Sequence, residues 1–123
     1  MESSNLTKTD LKNFGKITEF QEELGGKFFD YYGEVFKEGA LTEREKALIA
    51  LGVAHAIQCP YCIEAYSSTC LVKGADAEQM MEAVHVAAAI KGGATLMYGR
   101  QMMNHVEKLS CLLYTSPSPR DRG

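Results

Sequence analysis

The 123-residue sequence has no tryptophan and only three prolines, of which Pro60 alone precedes residue 111. No apolar run approaches the ~18 residues of a membrane span, so no membrane partner is expected. Residues Met1–Asn5 carry neither a basic nor an apolar signal-peptide region, and no secretory leader is expected. Positive charge is in short supply: 13 Lys and Arg stand against 16 Asp and Glu, for a net charge of −3. That balance argues against a nucleic-acid-binding surface. No useful stretch alternates apolar and polar residues, so strands are not expected. What remains is ordinary for a globular chain, 46% hydrophobic and 24% charged. The length suits one domain of the usual ~100–200 residues. A core of that size forms without disulfide staples. A cytoplasmic, reducing compartment is the default, and there closely spaced cysteines are catalytic or metal-binding rather than structural.

The apolar positions recur in steps of three and four, the period of a helix face. Leu11, Phe14, Ile17, Phe20 and Leu24 mark a first helix over about Thr9–Leu24, which Gly25-Gly26 should end. A second, about Lys27–Lys37, carries the aromatic stripe Phe28, Phe29, Tyr32 and Phe36, read as core. Thr42 and Glu45 form a capping-box pattern opening a third helix, about Glu43–Gln58. That helix is apolar on nearly every side, as a helix buried in a domain or an oligomer interface is. Pro60 suits the first turn of a fourth helix that Gly74 should stop. Asp76 and Gln79 cap a fifth, about Ala77–Lys91, which Gly92-Gly93 should break before a sixth, about Ala94–Leu109. The expected fold class is all-α, a compact bundle of about six helices in one domain over residues 1–110. The stretch Cys111-Leu112-Leu113-Tyr114-Thr115-Ser116-Pro117-Ser118-Pro119-Arg120-Asp121 resembles the translated read-through of a sequencing-library adapter. It is set aside from fold reasoning, and residues 111–123 are expected to be unpacked and disordered.

The chemistry centres on Cys59-Pro60-Tyr61-Cys62. Two thiols three residues apart at a helix start lie within disulfide reach. The first amides of a helix have no intrahelical partner and favour negative charge. A thiol beside them has a lowered pKa and a larger thiolate fraction, the form that attacks peroxides and disulfides and binds soft metals. Spacing alone leaves open which cysteine attacks.

The run Lys46-Ala47-Leu48-Ile49-Ala50-Leu51-Gly52-Val53-Ala54-His55-Ala56-Ile57-Gln58-Cys59-Pro60-Tyr61-Cys62-Ile63-Glu64-Ala65-Tyr66 resembles the carboxymuconolactone decarboxylase and alkylhydroperoxidase D-like family. The resemblance covers roughly residues 15–108. It implies an all-helical fold, assembly as a homotrimer or hexamer, and a CxxC at a helix start. Peroxidase members reduce hydroperoxides or disulfides through that dithiol and are restored by a partner dithiol. Decarboxylase members need no cofactor and often lack the cysteines, so two retained thiols imply the peroxidase branch, with Cys62 attacking and Cys59 resolving. The run Cys-Pro-Tyr-Cys-Ile-x-Ala-Tyr, with Glu82-Ala83-Val84-His85-Val86-Ala87, also resembles a peroxidase-like subgroup associated with arsenosugar biosynthesis. At two positions the chain departs from the peroxidase signature. Ala47 stands where the family has a relay Glu, and Tyr66 where it has a relay His.

Several residues are therefore candidates to complete the site. Tyr66, one turn after Cys62 on the same face, can hydrogen-bond a thiolate or peroxide but is a poor base at neutral pH. His55, one turn before Cys59, can serve as the missing base or be a satisfied histidine in a packed helix. His85 on the fifth helix is a candidate to face the thiols from across the bundle. Cys70, eight residues after Cys62, reads as a buried small hydrophobe. Two other functions compete with thiol redox chemistry. Cys59 and Cys62 with His55 or His85 would make a soft three-ligand metal or metalloid site. Loss of the relay Glu and His would suit a cofactor-free decarboxylase or a non-catalytic oligomeric scaffold.

Overall fold

In the computed structural model, residues 19–114 are described. They form four helices: α1, Glu22–Phe36; α2, Glu43–Ala56; α3, Pro60–Val72; and α4, Ala77–Tyr114. All are α-helices, as expected, and no strand occurs among the described residues. The number of helices differs from the six expected. The greater part of the expected first helix lies outside the described residues. Gly25-Gly26 does not punctuate the chain but sits inside α1, which starts at Glu22. Gly92-Gly93 likewise does not break α4. A glycine ends a helix by adopting left-handed backbone, and among the described glycines only Gly74 does so, at φ 94°. Without that turn each glycine merely weakens the helix by ~1 kcal/mol, and the flanking alanines Ala87–Ala89 and Ala94 are strong helix formers. The helix also continues through Cys111–Tyr114, into the stretch expected to be disordered; Cys111, Leu112 and Leu113 are exposed there, and residues 115–123 lie outside the described residues.

The two capping boxes form as the sequence suggests. Glu45 N–H donates to Thr42 Oγ1 at 3.0 Å, and Thr42 N–H donates to Glu45 Oε1 at 2.8 Å. At the start of α4, Gln79 N–H donates to Asp76 Oδ1 at 2.8 Å and Asp76 N–H to Gln79 Oε1 at 3.0 Å. Glu43, beside the first of these caps, pairs with Lys73 at 2.6 Å. That contact joins the first residue of α2 to the residue after α3, so the two helices run antiparallel.

The chain divides into two units, Met1–Ala87 and Ala88–Gly123. In the first, the core is a small cluster of Ala47, Leu51, Cys70 and Ala75, with Leu48, Tyr66 and Met80 packed on it. Ala47, Leu51 and Ala54 recur on one face of α2. Small side chains there let neighbouring backbone approach: a Cβ on Gly52 would stand 3.3 Å from the Ala83 carbonyl oxygen of α4. The rest of α2 is not buried within the chain, since Ile49, Val53 and Ile57 are each more than half exposed. In α1 no residue is fully buried. In the second unit α4 leaves Ile90, Leu96, Met97, Met102 and Leu109 exposed. No helix among the described residues is long and apolar enough to cross a membrane.

Candidate functional site

The site begins at the turn between α2 and α3. α2 ends in a paired-hydrogen-bond cap: Gln58 N–H donates to His55 O at 3.1 Å and Cys59 N–H to Ala54 O at 3.0 Å. This is the Schellman arrangement, which requires a left-handed residue just past the helix. Gln58 takes that conformation at φ 58°, although it is not glycine. Cys59 is at once the last residue of this cap and the N-cap of α3. Its carbonyl accepts from Ile63 N–H at 3.0 Å, so its backbone is held on both sides. Pro60 follows in the first turn, as expected from its missing N–H.

Cys59 and Cys62 are joined as a disulfide, with Cα atoms 5.3 Å apart. Cys59, the N-cap of α3, makes no side-chain hydrogen bond to the helix amides. Cys62, three residues on, lines a cleft of about 570 Å³. The cleft is walled mainly by apolar side chains, among them Val35, Ile49, Val53 and Ile57, with Tyr32 and Tyr66 at one end. Lys46 also reaches it, its Nζ donating to the carbonyls of Val35 at 2.7 Å and Lys37 at 2.6 Å. The ammonium thereby holds the carbonyl end of α1, where positive charge is favoured.

Tyr66 lies one turn beyond Cys62 and opens on the same cleft. Its hydroxyl is hydrogen-bonded to that of Tyr32. Its ring stacks on Phe36 at 5.4 Å between centroids and 18° between planes. Burial, and then the bond to Tyr32, hold its phenol well above the ordinary range. Tyr66 is accordingly a neutral hydroxyl at any physiological pH, a donor rather than a base. The aromatic stripe of α1 continues this ladder, with Tyr32 and Phe36 5.2 Å apart. Of the α1 stripe, Tyr32 and Phe36 line clefts and Phe28 is exposed, so the stripe does not fill a core. Sequence reading missed Tyr32 as a site residue. The available signal was a hydroxyl on an otherwise apolar stripe, since a phenol there needs a partner.

The histidines stand apart from this group. His55 is half-buried on α2, and its Nδ1 lies 2.9 Å from Leu51 O. A carbonyl only accepts, so Nδ1 carries the proton and is committed to the helix backbone. His85 is exposed on α4. Neither is among the residues lining the Cys62 cleft. Cys70 is fully buried in the core cluster, and burial pushes its thiol up from the ordinary range. It is the inert small hydrophobe expected. Among the described residues no three of His, Cys, Asp and Glu converge on one point, so the three-ligand site weighed from the sequence does not form there.

A model of the carboxymuconolactone decarboxylase family matches residues 22–104. A Paracoccus denitrificans protein, described as uncharacterized protein 4 in the cox locus, is 41% identical over 75 residues, 61% of this chain and 68% of that one. The crystal structure of a Methanobacterium thermoautotrophicum protein superposes with a TM-score of 0.63 at 31% identity, covering 66% of this chain and 91% of that one. A Thermotoga maritima protein superposes with a TM-score of 0.52 at 24% identity over 76% and 84% of the two chains, a likeness of fold alone. With the family model spanning most of α1 to α4, the chain belongs to the carboxymuconolactone decarboxylase family.

Proposed function

We propose that this protein is a thiol-dependent peroxidase of the alkylhydroperoxidase-like kind, reducing a hydroperoxide through Cys62 and Cys59. The observation that carries the reading is a disulfide-forming pair at the start of α3 of which one member, Cys62, opens on an apolar cleft. The Cys62 thiolate attacks the peroxide O–O bond and becomes a sulfenic acid. Cys59 then displaces the sulfenic hydroxyl as water and closes the disulfide. A partner dithiol reduces that disulfide by thiol–disulfide exchange. No cofactor enters this cycle.

The protein is further proposed to act as a homo-oligomer, a trimer or hexamer by family likeness. In support, α2 and α4 present large apolar side chains to solvent in the single chain, more than a stable monomer usually leaves in contiguous patches.

The test is a thiol count. Reduced protein treated with one equivalent of cumene hydroperoxide should lose two reactive thiols per chain and gain the Cys59–Cys62 disulfide. Cys62→Ser should abolish the reaction. Cys59→Ser should leave a sulfenic acid on Cys62 that dimedone captures. Retention of both thiols under excess peroxide would remove the assignment.

A further inference from the structure

A hydroperoxide attacked by a thiolate releases an alkoxide, which is about as basic as hydroxide and needs a proton as it leaves. The two histidines nearest in sequence do not meet that need, since His55 Nδ1 is bound to Leu51 O and neither His55 nor His85 lines the cleft. Two hydroxyls do line it, those of Tyr32 and Tyr66, and Tyr66 is the one on the helix of Cys62, one turn further along. Tyr66 and Tyr32 also line a second cleft, of about 370 Å³, whose other walls include Lys37, Thr69 and the Glu43–Lys73 ion pair. The hydrogen-bonded hydroxyl pair is thus shared by two open clefts, an apolar one that holds the thiol and a more polar one that carries the charged side chains.

We propose that this pair is the proton-donating chain of the site: Tyr66 protonates the leaving alkoxide, and Tyr32 restores Tyr66 from the polar cleft. The inference rests on the thiol-peroxidase reading and assigns the proton step within it. In the step, the S–O bond forms between Cys62 Sγ and the distal peroxide oxygen as the O–O bond breaks. Sulfur loses two electrons and the peroxide gains them. The distal oxygen keeps its hydrogen as Cys62–SOH. The departing RO⁻ takes the Tyr66 proton and leaves as the alcohol. Tyr66 O⁻ takes the Tyr32 proton, and Tyr32 takes one from solvent in the polar cleft. A neutral phenol is suited to this role. It holds its proton through the resting state, yet remains a stronger acid than the alcohol it forms. The ring stack of Tyr66 on Phe36 fixes where the hydroxyl points. Tyr66 is the catalytic residue of the pair, and Tyr32 is a positioning residue that acts through it.

Two peroxides with different leaving groups separate this role from a structural one. Cumene hydroperoxide releases an alkoxide, whereas peracetic acid releases a carboxylate that carries its charge unaided at neutral pH. Single-turnover oxidation of the reduced full-length chain would be followed with each. Tyr66→Phe, which keeps the ring and its stack, should slow reaction with cumene hydroperoxide by about 10²-fold, the usual reach of one general acid, and reaction with peracetic acid by less than threefold. Tyr32→Phe should show the same selectivity with a smaller loss, and the double variant should be no slower than Tyr66→Phe, because both losses pass through one proton. Equal losses on both peroxides in Tyr66→Phe, or no loss on either, would overturn the relay while leaving the peroxidase reading intact. Wild-type protein that is oxidised by neither peroxide would overturn both.

Discussion

Cys59 is fixed by the residue before it. The left-handed backbone at Gln58 lets two amides close the end of α2 and hands the chain to α3 within one residue. For a residue with a Cβ that conformation costs ~1–2 kcal/mol, while a glycine there would give back part of the gain as unfolded-state entropy, ~0.4–1 kcal/mol. Gln58→Gly is therefore expected to raise the unfolding free energy by a net ~0.5–1 kcal/mol, and the urea midpoint with it, and Gln58→Val to lower both, by ~1–2 kcal/mol in free energy, because branching at Cβ crowds left-handed backbone further. An unchanged midpoint in both would mean that the turn contributes no strain. The CxxC itself, Pro60 and buried Cys70 were all apparent from local spacing. The partnership of Tyr66 with Tyr32, 34 residues apart, was not, because a contact between helices leaves no period in the sequence. The same limit explains His55. Its position one turn before Cys59 shows in the sequence, but residue spacing cannot say that Nδ1 turns back to its own helix.

At the scale of the element, the capped helix starts were readable, and so was the end that Gly74 sets, but the glycine pairs at 25–26 and 92–93 misled, since both lie inside helices. A start is written in a local reciprocal pair, Thr42 with Glu45 or Asp76 with Gln79. An end depends on whether a glycine turns left-handed, which neighbours decide. The glycines of this chain differ for that reason. Nothing lies within 4 Å of a Cβ placed on Gly93, whereas one on Gly52 would stand 3.3 Å from the Ala83 carbonyl. Gly93→Ala should raise helix stability by ~0.5–1 kcal/mol, the ordinary propensity gain. Gly52→Leu should cost ~1–3 kcal/mol, because backbone rather than a flexible side chain meets the added atoms. Chemical denaturation of the two variants beside wild type checks both signs. A stabilised Gly52→Leu would show that α2 and the start of α4 separate freely. The Glu43–Lys73 pair links helices in another way, through charge. The Lys73 ammonium, by hydrogen bond and by attraction, holds the Glu43 carboxyl below its ordinary range. A carboxyl lowered by folding contributes stability above its unfolded pKa and loses it as pH falls through the folded value. Glu43→Gln should thus narrow the stability gap between neutral and acid pH, the change being small for so exposed a pair.

At the scale of the molecule, the fully buried apolar residues described are only Ala47, Leu51, Ala54, Cys70 and Ala75. Three are alanines, and one leucine and one cysteine are the largest side chains wholly enclosed. That is a thin core for a chain of this length, since a domain near 100 residues ordinarily offsets its conformational entropy by burying well over half of its unfolded surface. α4 meanwhile leaves large apolar side chains open in the single chain: Ile90 is 70% and Leu96 77% exposed. In the proposed homo-oligomer, burial between copies replaces burial within one, and folding and association become a single equilibrium. Two consequences are measurable. The thermal midpoint should rise with protein concentration over a hundredfold range, as it does for an obligate assembly and does not for a folded monomer. Ile90→Glu together with Leu96→Glu should lower both the midpoint and the sedimentation coefficient, because a charge cannot enter an apolar contact without a partner. A chain that sediments as a monomer, with a midpoint independent of concentration, would place the missing stabilisation elsewhere and remove the assembly from the account.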